Sequence, residues 1–231
     1  ATVVISVNRP MDTSVERAHF NMVEQQVRPW GVSDPEVLEV LARVPRERFV
    51  PESYRSLAYA DIEIPIAAGQ VMLAPKVVGR MLQALRIRPE DRILEIGAGS
   101  GYVTGCLASL GSRVVSLELH QELAEQARAT LESLNMRHFE VRVGDALAGE
   151  VEGYPFDVIA VTGSLPDDAL LSSLQEQLAL NGRLFAIVGE APLMEAVVVT
   201  RVATQEFHRE ILFETSVPAL ENVPEAEHFE F

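Results

Sequence analysis

The chain has little of what cross-links a protein or holds it in a membrane. Its 231 residues include a single cysteine, Cys106, which excludes an internal disulfide and a cysteine-based zinc site. No apolar run approaches the roughly 18 residues of a membrane span. The short apolar patch at 3–5 has neither a basic flank nor a cleavage site, so we expect no signal peptide there. These absences predict a cytoplasmic protein without a membrane partner.

Positive charge is also scarce. There are 19 lysine and arginine residues against 34 acidic ones, which gives a net charge of −15 and a sequence pI near 4.7. All of the basic residues except Lys76 are arginine. Such a negative field repels a nucleic-acid backbone, so we expect no nucleic-acid partner. The five histidines have no metal-ligand spacing, and we expect no metal site.

From Arg92 onward, strand and helix patterns alternate. The predicted strands are 92–96, 113–118, 138–143, 156–161 and 183–188, with helices at 102–110, 120–134 and 167–179. The tail differs, because two strand-like runs at 195–203 and 206–213 flank a turn at 204–205. Together they predict an α/β fold, with a doubly wound, mostly parallel, seven-stranded Rossmann-like sheet and an antiparallel C-terminal hairpin.

The first part of the chain is predicted to be a helical extension. Helical signals cover 15–27 and end at a turn-forming cluster at 28–31. A second helix starts at 33–36, where Ser33 offers a side-chain cap, and a third opens at Pro75. We therefore expect an N-terminal arm at 1–14 and a single domain at 15–231. Within that domain, 15–90 would form a helical cap over the substrate and 91–231 the cofactor-binding sheet.

The most informative stretch follows the first strand of the alternating region. Gly97, Gly99 and Gly101 occupy every second position between that strand and the next helix. Such a loop brings bare backbone against a nucleotide-like ligand at the carboxyl end of a parallel strand. It is not a dinucleotide fingerprint, because Tyr102 stands where the third glycine of that motif would be. The alternative is an ordinary α/β turn that happens to be rich in glycine.

Acidic residues strengthen the ligand interpretation. Glu95 precedes the glycines, Glu118 ends the second strand in a position to accept from ribose hydroxyls, and Asp145 follows the third strand, suited to an adenine amino group. The whole set resembles class I methyltransferases that use S-adenosyl-L-methionine. The resemblance implies these cofactor-binding residues: Gln70, Glu95, Gly97, Ala98, Gly99, Ser100, Gly101, Glu118, Leu119, Asp145, Ala146 and Thr162.

Motifs outside the glycine loop narrow the resemblance. The segments 43–51, 58–61, 65–66 and 69–70, and later 161–166, 181–184 and 217–220, resemble protein-L-isoaspartate O-methyltransferases over roughly residues 20–220. This implies carboxyl methylation of isoaspartyl residues in a damaged protein or peptide. The family's T-I-S-x-P segment aligns with Val71, Met72, Leu73, Ala74 and Pro75, so both hydroxyls are absent.

That departure falls on the positions that the family implies for the acceptor. Leu73 takes the place of the catalytic serine, and Val71, Met72 and Ala74 are the implied substrate-binding residues. A carboxylate is already an anionic nucleophile, so transfer needs positioning more than a base. Losing one charged hydrogen bond costs about 1.5–3 kcal/mol. An apolar wall also disfavours a carboxylate ion. Alternatively, Met72 and Leu73 are only core residues ahead of the next helix.

Lys76 lies at the mouth of the implied site. Its ammonium could pair with an anionic acceptor and replace the lost hydroxyls, or it could be a solvated surface lysine. Three functions stay open at this point. They are an isoaspartyl carboxyl methyltransferase with weakened or compensated catalysis, a methyltransferase of the same fold for another small-molecule acceptor, and a non-catalytic module that binds S-adenosyl-L-methionine.

Overall fold

The computed structural model describes residues 13–223. Most of the predicted N-terminal arm, residues 1–12, lies outside the described residues. The strands of the described part are, in chain order, β1 (Ile64–Pro65), β2 (Val71–Met72), β3 (Arg92–Ile96), β4 (Arg113–Glu118), β5 (Phe139–Val143), β6 (Phe156–Leu165), β7 (Leu178–Glu190), β8 (Leu193–Ala203) and β9 (Glu206–Thr215). The last seven form one sheet, and β1 and β2 form a small antiparallel pair.

The large sheet has the order β5-β4-β3-β6-β7-β8-β9. Neighbours from β5 to β7 are parallel, whereas β8 and β9 are added antiparallel at one edge. The predicted fold class is therefore confirmed, including the C-terminal hairpin. The chain winds outward in both directions from β3 and β6, so the carboxyl ends of these two strands border a crevice where doubly wound folds bind ligands.

The helices are α1 (Thr13–Asn21), α2 (Pro35–Arg43), α3 (Pro75–Leu85), α4 (Tyr102–Leu110), α5 (Gln121–Ser133) and α6 (Asp168–Gln175). The helical signal predicted for 15–27 is confirmed, because α1 continues into a π-helical segment at Met22–Val27, and a 3₁₀ turn at Arg28–Trp30 follows in the predicted turn cluster. The second helix is capped by Asp34 rather than Ser33. The Asp34 carboxylate accepts from the backbone of Glu36 at 2.9 Å.

The predicted helix at 167–179 ends early. Helix α6 stops at Gln175, and Leu178 already pairs with Phe156 at the start of a bulged β7. The Phe156 amide donates to the carbonyl of Gln177 at 2.9 Å, so sheet pairing takes over from the helix at this point. Because Leu178 is fully buried in the sheet, tertiary burial decides its conformation over local helical periodicity.

Both faces of the sheet are covered. Ile93 and the apolar sides of α2, α3 and α4 belong to one buried cluster, while Leu94, Ile96 and α6 residues belong to the other. Cys106 is fully buried in the first cluster, where it packs as a small apolar side chain. Within residues 13–223, no helix is long and apolar enough to cross a membrane.

Candidate active site

The glycine loop after β3 requires its glycines. Gly97, Gly99 and Gly101 have φ angles of 91°, 53° and 89°, a region that other residues rarely adopt. A Cβ atom on Gly97 would lie 2.5 Å from Oγ1 of Thr162, and one on Gly101 would lie 3.0 Å from Cβ of Ala127. The loop therefore turns tightly and leaves its backbone bare at the carboxyl end of β3.

A cavity of about 740 Å³, including its open mouth, lies against this loop. We call it the loop cavity. Most of the predicted cofactor residues line it, namely Gln70, Gly97, Gly99, Glu118, Leu119, Asp145, Ala146 and Thr162. The structure thus brings together residues that are up to 92 positions apart, from Gln70 to Thr162.

Two acidic side chains point their oxygens along this cavity. Glu118 is buried, and its Oε2 accepts from the Gly99 amide at 2.8 Å while Oε1 accepts from the His120 amide at 3.1 Å. Each carboxylate oxygen keeps a further lone pair for a ligand donor. Asp145 accepts from the Leu147 amide at 2.9 Å. Both acids are therefore held in place by backbone donors before any ligand binds.

Thr162, in the carboxyl-terminal half of β6, joins this strand to the end of β3 at the start of the loop. Its Oγ1 lies 2.8 Å from the carbonyl oxygen of Ile96 and 2.6 Å from that of Gly97. It lines the loop cavity through the same side chain. We conclude that Thr162 fixes the entry of the glycine loop against β6.

Glu95 lies behind the loop and does not line the loop cavity. Its side chain is fully buried, and Oε1 accepts from the hydroxyls of Thr104 and Ser116, each at 2.5 Å. Alternation along β3 places Glu95 on the same face as Ile93, toward α4, which carries Thr104. Burial raises the pKa of Glu95 to about 8, partly offset by these two hydrogen bonds. Glu95 thus joins β3 to α4 and β4 and makes no contact with the loop cavity that would support the predicted cofactor role.

Of the remaining predicted loop residues, two line a cavity and one does not. Ala98 and Ser100 line a second, smaller cavity of about 330 Å³, whereas Gly101 caps α4 and faces Ala127. The second cavity is called the acceptor cavity here, because Val71, Met72 and Leu73 also form its wall, as the resemblance implies for the acceptor. Its walls include four residues of the loop cavity, namely Val71, Gly97, Gly99 and Thr162. The two cavities are therefore neighbours.

The acceptor positions are apolar and well packed. Met72 and Leu73 are buried within the main core cluster and also line the acceptor cavity, so their predicted role in substrate binding stays a prediction. Ala74 precedes α3 at its N-cap position and does not line either cavity. Sequence reasoning missed Arg46, which lines the acceptor cavity and whose only sequence signal was its place in the 43–51 motif.

Lys76 lies away from both cavities. Its Nζ is 3.2 Å from Oδ2 of Asp61 and 4.8 Å from the centroid of the Trp30 ring. Asp61 and Trp30 thus hold the ammonium on the surface of α3, and this position gives no support to the predicted anchor role. Within residues 13–223, no cluster of three histidine, cysteine or acidic side chains could hold a metal ion.

The C-terminal segment 218–221 closes one side of the loop cavity, which sequence reasoning also missed. Leu220 and Ser164 are joined through backbone atoms at 2.9 Å. The Glu221 carboxylate accepts from Nε2 of Gln70 at 3.0 Å and lies 2.6 Å from Nε2 of His120. These contacts tie the segment to both rims of the cavity, and we call it the C-terminal strap.

Comparison with known proteins agrees with this geometry. The family model described as protein-L-isoaspartate(D-aspartate) O-methyltransferase matches residues 17–221. A protein-L-isoaspartate O-methyltransferase 2 of Marinobacter nauticus is 42% identical over 189 residues, which cover 81% of this chain and 85% of the relative. A protein-L-isoaspartate O-methyltransferase of Gloeobacter violaceus is 45% identical over 168 residues, which cover 73% of this chain and 81% of the relative.

Solved structures show the same fold. A protein-L-isoaspartate O-methyltransferase aligns with a TM-score of 0.74 at 23% identity, over 89% of this chain and 65% of that one. A candidate enzyme of this kind from Plasmodium falciparum, solved in complex with S-adenosyl-L-homocysteine, aligns with a TM-score of 0.73 at 22% identity, over 88% and 98%. With the family model matching most of its length, the chain belongs to the protein-L-isoaspartate(D-aspartate) O-methyltransferase family.

Proposed function

We propose that this chain is an S-adenosyl-L-methionine-dependent methyltransferase that esterifies the free carboxyl group of isoaspartyl residues in proteins or peptides. The observation that carries the proposal is the pairing of the loop cavity with the acceptor cavity across Gly97 and Gly99. A ligand at the first cavity would face an acceptor at the second. Membership of the family supports both the cofactor and the reaction.

The residues of the loop cavity fit this cofactor. Gly97 and Gly99 bring bare backbone to the cavity wall, and Glu118 and Asp145 offer acceptors for a ribose and an adenine amino group. When bound, S-adenosyl-L-methionine would supply an electrophilic methyl group. Glu118 and Asp145 would orient it, the C-terminal strap would exclude water, and the residues of the acceptor cavity would position the acceptor oxygen.

A second candidate is a methyltransferase of the same fold with a small apolar acceptor. Val71 and Leu73 favour it, because they replace two hydroxyls with hydrocarbon on the wall of the acceptor cavity. The predicted absence of nucleic-acid partners depends on the net charge of −15 and stays a prediction. The cytoplasmic location also stays a prediction.

The decisive experiment uses methyl-labelled cofactor with an isoaspartyl peptide and its normal aspartyl twin. We expect label in the isoaspartyl peptide alone, as a base-labile ester.

Glu118→Ala is expected to weaken cofactor binding about 10- to 150-fold by calorimetry, since a charge-assisted hydrogen bond is lost. The matched control is Glu122→Ala, an exposed acid on α5. Cofactor binding without transfer to the isoaspartyl peptide would refute the acceptor, and absence of cofactor binding would refute the whole proposal.

A further inference from the structure

The Arg46 side chain is completely buried, yet it has no counter-charge. Its Nε donates to the carbonyl oxygen of Ala58 at 2.8 Å, and Nη2 donates to that of Leu73 at 2.9 Å. The third nitrogen, Nη1, has no hydrogen-bond partner within the described part of the chain. Arg46 also makes no ion pair with any acid among residues 13–223. Two of the three nitrogens are thus held rigidly, and one is left with its donors unused.

Such an arrangement is costly unless a ligand completes it. A buried charge needs a partner to offset its lost hydration, and carbonyl oxygens offset only part of that loss. The ring of Tyr102, whose centroid is 4.9 Å from Cζ, gives further but incomplete compensation. Burial lowers the pKa of the Arg46 guanidinium below its ordinary value, although arginine stays charged in proteins. The protein therefore keeps an undercompensated cation in its interior.

The position of this cation points to a ligand. Arg46 lines the acceptor cavity together with Val71, Met72 and Leu73, the segment that lost the hydroxyls of the family motif. Tyr102 lines the same cavity, with its buried hydroxyl beside the Arg46 guanidinium and Cys106. The cavity thus combines a hydrocarbon wall with a cation whose Nη1 has no hydrogen-bond partner among the described residues. A carboxylate on a short aliphatic stem matches both parts of this lining.

We propose that Arg46 binds the carboxylate of the methyl acceptor through Nη1, in a cavity where Val71 and Leu73 offer no hydroxyl. This rests on the proposed function and assigns the residue that selects its acceptor. The apolar wall strengthens the attraction, because charges interact more strongly where water is excluded. Because Nε and Nη2 are fixed by Ala58 and Leu73, little side-chain freedom is lost on binding.

The test compares two peptides that differ only in the anchoring group, an isoaspartyl peptide and its twin in which the free carboxyl is a carboxamide. Binding of each is measured by calorimetry in the presence of S-adenosyl-L-homocysteine. We expect the unmutated protein to prefer the acid about tenfold or more, and Arg46→Met to bind both peptides alike with unchanged affinity for S-adenosyl-L-homocysteine. Equal binding of both peptides by the unmutated protein would overturn the proposal.

Two further variants keep the test sharp. Arg46→Lys retains the charge but not the planar fork, so we expect a preference for the acid that is reduced yet present, and this decides the matter if Arg46→Met does not fold. Lys76→Met removes the only lysine, which lies outside both cavities. Loss of the preference for the acid in Lys76→Met, together with its full retention in Arg46→Met or Arg46→Lys, would assign the anchor to Lys76 and refute the proposal.

A small probe separates this proposal from the proposed function. Butyrate and butyramide are small aliphatic probes of the same chain length, one with a carboxylate and the other with a neutral carboxamide. We expect butyrate, but not butyramide, to perturb the Tyr102 ring resonances, and Arg46→Lys to weaken that effect. This result would support the anchor even if the isoaspartyl peptide were not methylated. Methylation of the peptide combined with no butyrate effect and no Arg46 dependence would leave the function standing and remove the anchor.

Discussion

At the scale of single residues, the acceptor cavity differs from the family pattern at two side chains. Leu73 is buried on the cavity wall where the family motif has a serine, and Val71 lines both cavities where the motif has a threonine. Neither can donate a hydrogen bond. We infer that positioning by the remaining residues carries transfer, because a carboxylate needs no general base.

The first prediction restores these hydroxyls. The double change Leu73→Ser with Val71→Thr is expected to raise turnover on an isoaspartyl peptide about 10- to 100-fold, the effect of regaining one bond to a charged acceptor, which is worth about 1.5–3 kcal/mol. Steady-state methyl transfer measures it. Ala68→Ser, on the partly exposed turn beside Gly69, is the control and should leave turnover unchanged. A rate that the double change does not alter would contradict our interpretation of the motif.

The second prediction concerns Glu95, whose pKa burial raises from 4.5 to about 8. Below pH 4.5 the carboxyl is protonated in both folded and unfolded protein, so no stability is lost. Between pH 4.5 and 8 the unfolded chain releases the proton while the folded chain retains it, and the free energy of unfolding falls as pH rises. Above pH 8 the loss is complete.

Glu95→Gln removes this titration while keeping an oxygen to accept from Thr104 and Ser116. We expect the variant to gain stability relative to the unmutated protein as pH rises from about 5 to 8, by the order of 1–3 kcal/mol. Thermal unfolding across this pH range measures the difference in Tm. Glu122→Gln, on the exposed face of α5, is expected to show a flat difference. The same flat result for Glu95→Gln would contradict the assignment.

At the scale of elements, the site is built where parallel strands end and a distant segment covers them. Strands β3, β4 and β6 present Gly97, Glu118 and Thr162 at one edge of the sheet. The C-terminal strap follows β9 and returns to this edge through backbone bonds with Ser164. The position of the strap therefore depends on the antiparallel hairpin, because β8 and β9 are added to the sheet before the chain returns to this edge.

The third prediction tests the strap as a cover. Glu221→Ala removes the contacts with Gln70 and His120 but leaves the backbone bonds with Ser164. We expect S-adenosyl-L-homocysteine to dissociate several-fold faster, about 2- to 10-fold, with little change in its association rate. Stopped-flow measurement of both rates tests this. Glu210→Ala, an exposed acid on β9, is the control. Unchanged dissociation from Glu221→Ala would show that the strap does not retain the ligand.

At the scale of the whole molecule, the dominant property is the net charge of −15. Like charges on a compact fold repel one another, and dissolved salt screens this repulsion. Several acids form local ion pairs, such as Asp91 with Arg183 at 2.5 Å, but 34 acids exceed 19 basic residues by a wide margin. Excess negative charge must therefore weaken the folded state at low ionic strength.

The fourth prediction is a salt dependence of stability. Raising sodium chloride from about 0.02 M to about 0.5 M at pH 8 is expected to raise Tm by several degrees, because the Debye length falls from about 20 Å to about 4 Å. The same experiment near the sequence pI of 4.7 is the control, since the net charge there is close to zero. An equal rise at both pH values would assign the effect to general salting-out rather than to charge repulsion.

Local patterns predicted most of the sheet and the ligand loop. Strand and helix periods repeat within a few residues, so the alternation from Arg92 onward determined the order of elements and the antiparallel tail. Gly97, Gly99 and Gly101 were identifiable because positive φ is a property of the individual residue. Glu118 and Asp145 followed as well, since carboxyl ends of parallel strands meet at one edge.

The tertiary structure alone decided which charged groups face the ligand. The Glu95 side chain points into the core because α4 packs on its face of β3. Leu178 belongs to β7 rather than to the predicted helix because it is buried in the sheet. Arg46 forms a hydrogen bond with Leu73, 27 residues away in the sequence, and Glu221 forms one with Gln70, 151 residues away. No local period encodes such contacts, because they depend on how whole elements pack. The sequence by itself therefore determined the fold and the cofactor loop, whereas packing decided the anchor and the cover.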